Sequence, residues 1–230
     1  ANWEALMSGY VSRDYDVLER LMTQVHVLWF YIKLIVIPIP GTMSLFHDNF
    51  TIQAHVDWRT VVLTLALFSA ILGGILFRKG APLFALGAIW FVLWHSLESS
   101  VFNLELVFEH RNYLALAGVL IILAGLLMRL AALPSLRRLV PALGIFLAIL
   151  LAANTAARSF VWGDRETLIV TEFAENPGSP RLLGEMFVLA YNRRQLLEAR
   201  QYARAIQAAV PNNSYPFILE LFTYCVAPEA

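Results

Sequence analysis

The stretch TVVLTLALFSAILGGILF, from Thr60 to Phe77, decides the fold, because it carries no charged side chain and is followed directly by Arg78 and Lys79. A helix needs about 20 apolar residues to cross the roughly 30 Å hydrocarbon core of a bilayer. Lipid offers the backbone no hydrogen-bond partners, so a crossing segment of this kind is helical. The sequence therefore predicts a membrane-spanning helix over about residues 60–77.

Three further apolar runs follow, over about residues 81–97, 113–130 and 139–157. The whole chain of 230 residues is 59% hydrophobic and only 15% charged, whereas a soluble domain carries about 25% charged residues. We therefore predict an all-α protein. A polytopic bundle of four transmembrane helices over residues 60–159 precedes a short α-helical hairpin domain over residues 160–230.

The net charge and the cysteine content exclude two classes of protein. The formal net charge is zero, so no overall field favours nucleic acid as a partner. Cys225 is the single cysteine, which rules out an internal disulfide framework.

The basic residues of the short connections predict the orientation of the chain. Arg78 and Lys79 lie between the first two runs, and Arg129, Arg137 and Arg138 lie between the third and fourth. Cytoplasmic connections are enriched in Lys and Arg. We therefore expect both connections in the cytoplasm, and the connection around residues 98–112 and the C-terminal segment outside.

The first 59 residues form an outside or interfacial segment in this prediction. Residues 21–40 are apolar enough to insert, but Lys33 interrupts them and Pro38 ends the run. We interpret this stretch as a tilted or interfacial helix, and a fifth span is the alternative. Residues 41–59 then form a polar outside loop.

The C-terminal segment changes character after residue 158. Leu183, Tyr191, Ala199, Tyr202 and Ala205 recur at the spacing at which a 34-residue tetratricopeptide-type repeat places its packing residues. The pattern predicts two antiparallel helices over about residues 181–211, with these side chains facing inward.

A cluster of ionisable groups, HSLESSVFNLELVFEHRNYL from His95 to Leu114, separates the second and third runs. Charged groups at membrane depth usually face a cavity or a partner and mark functional sites. An arginine side chain matches phosphate oxygens in a bidentate way. The candidate catalytic residues are Glu98 and His95, and the candidate lipid-phosphate ligands are Arg111, His110, Glu109 and Asn112.

Structural explanations compete with this hypothesis. Glu105 and Arg111 could form an interfacial ion pair, and His95 could hydrogen-bond across helices. His47 and Asp48 in the preceding loop are candidates for a further part of the site, with ordinary loop polarity as the alternative. We predict no specific metal ligand set. A divalent metal, held for example by His47, Asp48 and His55, is the less favoured alternative.

At these residues the sequence resembles a known family. The matching segments, in chain order, are RDYDVLERLMTQVHVLWFYIKLIVIP, SLFHDNF, WFVLWHSLESSVFNLELVFEHRNYL and RSFVWGD, and they extend from about Arg13 towards Pro211. They are similar to bacterial polytopic membrane proteins with C-terminal tetratricopeptide repeats. These proteins in turn are similar to the transmembrane and tetratricopeptide-repeat O-mannosyltransferases, which have the C-type glycosyltransferase fold.

The resemblance implies an activity and a location. The activity is transfer of a sugar from a polyprenyl-phosphate carrier to a protein or glycan, outside a bacterial inner membrane. The chain matches the C-terminal half of such an enzyme, so we expect the usual catalytic acid outside it. The implied partners are the lipid-linked sugar, membrane lipid, and a protein partner or acceptor at the helical repeat. The alternative function is a non-catalytic membrane scaffold or complex subunit whose repeats bind a protein.

Overall fold

The protein is described here from a computed structural model that covers residues 9–11, 13–48, 50–211 and 213–226. All the regular secondary structure of the described residues is helical, with no strand among them, which confirms the predicted all-α class. The helices are α1 (Val17–Val36), α2 (Trp58–Leu76), α3 (Pro82–His95), α4 (Asn112–Ala131), α5 (Leu139–Trp162), α6 (Arg165–Glu175), α7 (Pro180–Asn192), α8 (Leu196–Ala209) and α9 (Tyr215–Val226). Short 3-10 turns lie at Pro40–Thr42 and Glu109–Arg111.

The helices begin where the sequence supplies side chains that cap them. The Asp16 carboxylate accepts from the Glu19 backbone N–H, and the Glu19 carboxylate accepts in return from the Asp16 N–H. Asp57 caps α2 by accepting from the Thr60 N–H at 2.7 Å, and the same contact and the Thr60 hydroxyl lower the pKa of Asp57. Each cap satisfies a backbone donor that the first turn of a helix leaves unpaired.

Three helical segments of the described chain are long and apolar enough to cross a membrane, namely Trp58–Leu76, Glu109–Ala131 and Leu139–Trp162. Helix α5 is the clearest of them, because it buries no residue against the rest of the protein. A helix that is apolar all round and unburied is suited to lipid and not to water. These segments support a membrane protein. The predicted second span forms the shorter helix α3, of 14 residues, so its crossing stays a prediction. The interfacial placement of residues 21–40 also stays a prediction.

The chain divides into two compact units. The first contains Ala1–Met43 and Thr51–Leu151, and the second contains Ser44–Phe50 and Ala152–Ala230. Helix α5 is continuous through the point of division.

In the first unit, α3 and α4 pack as a close antiparallel pair. A Cβ atom added to Gly118 would lie 2.5 Å from the Gly87 carbonyl oxygen and 2.8 Å from the Phe91 nitrogen. Small residues allow this approach, which is the usual way in which helices associate in lipid. The ring nitrogen of Trp90 also donates to the Leu114 carbonyl at 2.9 Å. One end of this antiparallel pair contains the end of α3 and the start of α4, and is called here the Asn112 end. The other contains the start of α3 and the end of α4, and is called the Arg129 end.

In the second unit, α7 and α8 form the predicted hairpin and α9 packs on it. The predicted inward-facing residues Leu183 and Ala199 are buried, and Tyr191, Tyr202 and Ala205 pack against the same core. Its buried members are Leu183, Phe187, Ala190, Ala199, Ala203, Ile206 and Leu219. The turn between the two helices places Arg194 in the left-handed region, with φ of 61°.

Candidate functional site

The connection between α3 and α4, residues 96–111, is held by a buried arginine of α1. The Arg20 side chain is fully buried. Its Nε donates to the Ser100 carbonyl at 3.0 Å, its Nη1 to the Leu104 carbonyl at 2.5 Å, and its Nη2 to the Glu98 carbonyl at 2.9 Å. Buried carbonyl groups need partners, and one guanidinium supplies three of them here. The backbone around Glu98 is therefore fixed from α1.

Two further side chains of the same helix extend this contact along the connection. Gln24 donates from Nε2 to the Leu106 carbonyl at 3.0 Å, and the Tyr31 hydroxyl accepts from the Phe108 N–H at 2.7 Å. Positions four residues apart lie on one face of a helix, so Arg20 and Gln24 face the connection together. Helix α1 thus acts as a polar support for the segment that carries the candidate site.

Glu98 and Arg111 are brought together at the two ends of this connection. Arg111 Nε lies 3.9 Å from Glu98 Oε1, and the two side chains are 23% and 26% exposed. The guanidinium also lies over the Phe108 ring, with its carbon 5.0 Å from the ring centroid. Neither contact is a hydrogen bond of the Nη atoms, and these atoms have no hydrogen-bond partner in the part of the chain that the structure describes. They remain able to donate to an anion.

Partial burial makes Glu98 easier to protonate than an exposed glutamate. Burial raises the pKa of this carboxyl, and the charges of Arg111 and His110 offset part of that rise. Desolvation disfavours the carboxylate, whereas a nearby cation favours it. A side chain in this environment can exchange a proton with a bound group, which is the role that general acid–base chemistry needs.

His95 and Asn112 form a second contact, between α3 and α4. His95 is 2% exposed and Asn112 is 8% exposed, and His95 Nε2 lies 3.3 Å from Asn112 Oδ1. The imidazole stacks on Tyr31, with ring centroids 5.3 Å apart, and meets Phe91 at 4.7 Å. The structure thus places His95 and Asn112 in the packing between helices. This is the arrangement that the competing structural explanation describes.

His110 is the most exposed of the candidate phosphate ligands, and Glu109 begins the 3-10 turn beside it. The His110 ring contacts Phe108 edge to face at 4.0 Å. Phe108 therefore lies in contact with both His110 and Arg111, which keeps these two side chains on one aromatic residue.

His47 and Asp48 lie in the second unit, where Asp48 binds the helical hairpin. Its carboxylate accepts from the Ser179 hydroxyl and from Arg181 Nε, the latter at 2.6 Å. The Arg181 guanidinium also lies 4.6 Å from the centroid of the Phe46 ring. These contacts give Asp48 an anchoring role for the segment Ser44–Phe50 within the second unit.

A buried glutamate anchors the same segment. Glu172 is fully buried. Its Oε2 accepts from the Leu45 N–H at 2.8 Å, and its Oε1 lies 3.4 Å from Arg158 Nη1. Burying a polar group without partners is costly, and these contacts supply partners to both carboxyl oxygens. Arg158 is therefore part of an internal ion pair in the second unit.

Within the described residues, no group of three or more His, Cys, Asp or Glu side chains is arranged to hold a metal ion. The set of His47, Asp48 and His55 is included in that finding.

Comparison with known proteins gives no relative for this chain. No family model, no curated protein and no solved structure matches it. The family resemblance drawn from the sequence therefore stays a prediction.

Sequence reasoning missed Arg20, Gln24 and Tyr31, which organise the site. The available signal was their spacing: polar side chains at positions 20, 23, 24 and 31 share one face of an otherwise apolar helix. An isolated arginine among apolar residues indicates that something polar packs against it.

Proposed function

We propose that this protein is part of a membrane-embedded glycosyltransferase-like enzyme in which Arg111 binds the phosphate of a polyprenyl-phosphate-linked sugar. The observation that carries the proposal is the Glu98–Arg111 pair, partly exposed where a membrane-length segment begins and held in place by Arg20. A polyprenyl phosphate has its anionic group at this depth, where its lipid tail enters the bilayer.

Arg111 supplies the charge and the geometry for such a ligand. It precedes the first residue of α4, so the positive end of that helix's dipole lies on the side of the guanidinium. A planar guanidinium donates two parallel hydrogen bonds to phosphate oxygens. Incoming phosphate competes with Glu98, whose separation from Arg111 of 3.9 Å is long for an ion pair.

Glu98 is the proposed acid–base residue. Its raised pKa is compatible with taking or giving a proton beside the bound phosphate. In this proposal, these residues supply the donor side of the reaction, and the helical repeat binds the acceptor or a protein partner. The proposed location is a bacterial inner membrane, with the C-terminal segment on the outer side.

The test is binding of a polyprenyl phosphate to the protein in nanodiscs. Arg111→Ala removes a charged phosphate contact and should weaken binding by about 1.5–3 kcal/mol, or roughly ten- to a hundredfold. Arg111→Lys keeps the charge but loses the planar donors, so its binding should fall between those of the wild type and Arg111→Ala. Glu98→Gln should lower turnover in the whole enzyme more than it lowers binding.

Arg59→Ala is the matched control, because Arg59 is an exposed arginine at the start of α2 whose guanidinium lies against Trp58. It removes one positive charge without touching the connection, and its binding should equal that of the wild type. Wild-type affinity in a normally folded Arg111→Ala protein would show that the arginine is structural.

A non-catalytic scaffold is the second candidate, and one observation favours it. Helix α9 leaves Phe217, Ile218, Leu221 and Phe222 about half exposed or more. Exposed apolar surface on a helical hairpin commonly marks a protein contact. Two results together would support the scaffold. The protein would bind no polyprenyl phosphate, and it would co-purify with one stoichiometric partner that the Leu221→Glu variant no longer binds.

A further inference from the structure

The Arg129 end of the α3–α4 pair contains an apolar cavity of about 460 Å³. Its walls are the first residues of α3 and the last turns of α4, including Leu83, Ile122, Gly125 and Leu126, and Arg129 is the charged residue of its lining. Ligand cavities in proteins are about 300–1,000 Å³ and mostly apolar, with a few polar groups that fix orientation. This cavity has that size and that composition.

Arg129 is oriented at this cavity by the backbone of the preceding connection. Its Nη2 donates to the Gly80 carbonyl, and the side chain is otherwise exposed. This contact directs the guanidinium across the gap between the end of α4 and the start of α3. A guanidinium has five N–H donors, so most of its donors stay available to a ligand.

The charges around the cavity are all positive. Arg78 and Lys79 precede α3, and Arg137 and Arg138 precede α5; all four side chains are exposed. Residues 58–97 and 112–163 contain no aspartate and no glutamate. The positive charges at this end of the first unit are therefore not neutralised by any acidic residue of these helices. They lie where the apolar helices end.

We propose that this end is a binding site for one anionic glycerophospholipid, with an acyl chain in the cavity and the phosphate on Arg129. The charge complementarity and the shape point to the same occupant. Basic pockets between membrane helices hold acidic lipid headgroups, and an apolar cavity beside the guanidinium takes the chain that is attached to the headgroup. A free phosphate would use the guanidinium but not the cavity, and a neutral lipid would use the cavity without the charge. The site is separate from Glu98 and Arg111, at the opposite end of the α3–α4 pair, and does not depend on the function proposed for them.

The test is native mass spectrometry of the whole chain in detergent, titrated with phosphatidylglycerol or with phosphatidylcholine of the same acyl chains. Phosphatidylglycerol should bind the wild type more tightly. Arg129→Gln should weaken phosphatidylglycerol binding by about fivefold, the effect of one basic residue on an acidic lipid surface, and should leave phosphatidylcholine binding nearly unchanged.

Arg138→Gln is the matched control, since it removes the same charge from the same end but does not line the cavity. Its effect should be less than half that of Arg129→Gln. Equal effects of the two substitutions would show a diffuse electrostatic belt and would overturn the site. Competition by sn-glycerol 3-phosphate as effective as that by the intact lipid would overturn the role of the cavity.

Leu126→Phe tests the cavity separately from the charge. Leu126 lines the cavity and is 52% exposed, so a larger side chain can be accommodated while it fills space that the acyl chain needs. Binding of both lipids should fall. Unchanged binding of both lipids to Leu126→Phe would contradict the proposal, even if Arg129→Gln failed to fold.

Discussion

Arg20 shows how much one side chain can determine in this protein. Its charge is fully buried and is spread over three backbone carbonyls, of Glu98, Ser100 and Leu104. A buried charge is costly unless it is fully hydrogen-bonded, and an irregular segment at the edge of a membrane is costly unless its backbone is paired. The guanidinium supplies hydrogen-bond donors to the carbonyls, and the carbonyls supply acceptors to the guanidinium, so each stabilises the other in its buried position.

Replacing Arg20 tests this mutual dependence. Arg20→Met keeps the length of the side chain but leaves three carbonyls without their donor, and each unpaired buried group costs about 1–3 kcal/mol. The variant should melt at a clearly lower temperature in detergent, and trypsin should cleave after Arg111 faster than in the wild type. Arg13→Met is the control, because the Arg13 side chain is exposed and donates to the Asn103 side chain, at 3.2 Å, and not to backbone carbonyls of the connection in the described part of the chain. Equal melting of the two variants would contradict the role given to Arg20.

At the scale of helices, the close approach of α3 and α4 distinguishes glycines that pack from glycines that do not. Gly118 and Gly87 face one another across the pair, whereas a Cβ added to Gly73 or Gly144 would meet nothing within 4 Å. Lipid gives no hydrophobic drive for helices to associate, so backbone approach and interhelical hydrogen bonds hold the pair together.

The glycines make a matched set of substitutions. Gly118→Ala should destabilise the protein, because its Cβ would meet the backbone of Gly87 and Phe91 and not a side chain that can move. Gly73→Ala and Gly144→Ala have open space and should be neutral or stabilising by up to about 1 kcal/mol, since alanine has the higher helix propensity. Thermal unfolding in one detergent measures all three. Similar losses at Gly118 and Gly144 would show that the α3–α4 approach contributes little.

At the scale of the whole molecule, the helices formed by apolar runs could be predicted from the sequence, whereas the contacts by which one segment supports another could not. The runs around Thr60, Tyr113 and Leu139 became helices because a continuous apolar composition leaves the backbone few alternatives. The inward-facing residues of the hairpin, such as Leu183 and Ala199, followed from their spacing. The pairing of Glu98 with Arg111 depends on how the connection between α3 and α4 folds back on itself. The role of Arg20 depends on contacts between residues about 80 positions apart, for which one sequence contains no direct signal.

Orientation in the membrane can be tested by labelling. The exposed Cys225 is first replaced by serine, and single cysteines are placed at Lys79 and Asn103. A membrane-impermeant maleimide added from outside should label position 103 and spare position 79, because the basic connections of Arg78 and Arg137 should be cytoplasmic. Labelling of position 79 from outside would contradict the predicted topology.

The polar contacts at the two ends of the α3–α4 pair imply a preferred bilayer thickness. Asn112 binds His95 at one end and Arg129 binds the Gly80 carbonyl at the other. The 17 steps from position 112 to position 129 extend over about 26 Å at 1.5 Å per residue, which is short for a hydrocarbon core of about 30 Å. Hydrophobic mismatch of this sign should favour thin bilayers. The melting temperature of the reconstituted protein should therefore fall steadily as the acyl chains of the bilayer are lengthened. Equal melting temperatures in long- and short-chain lipid would show that these polar contacts do not set a preferred bilayer thickness.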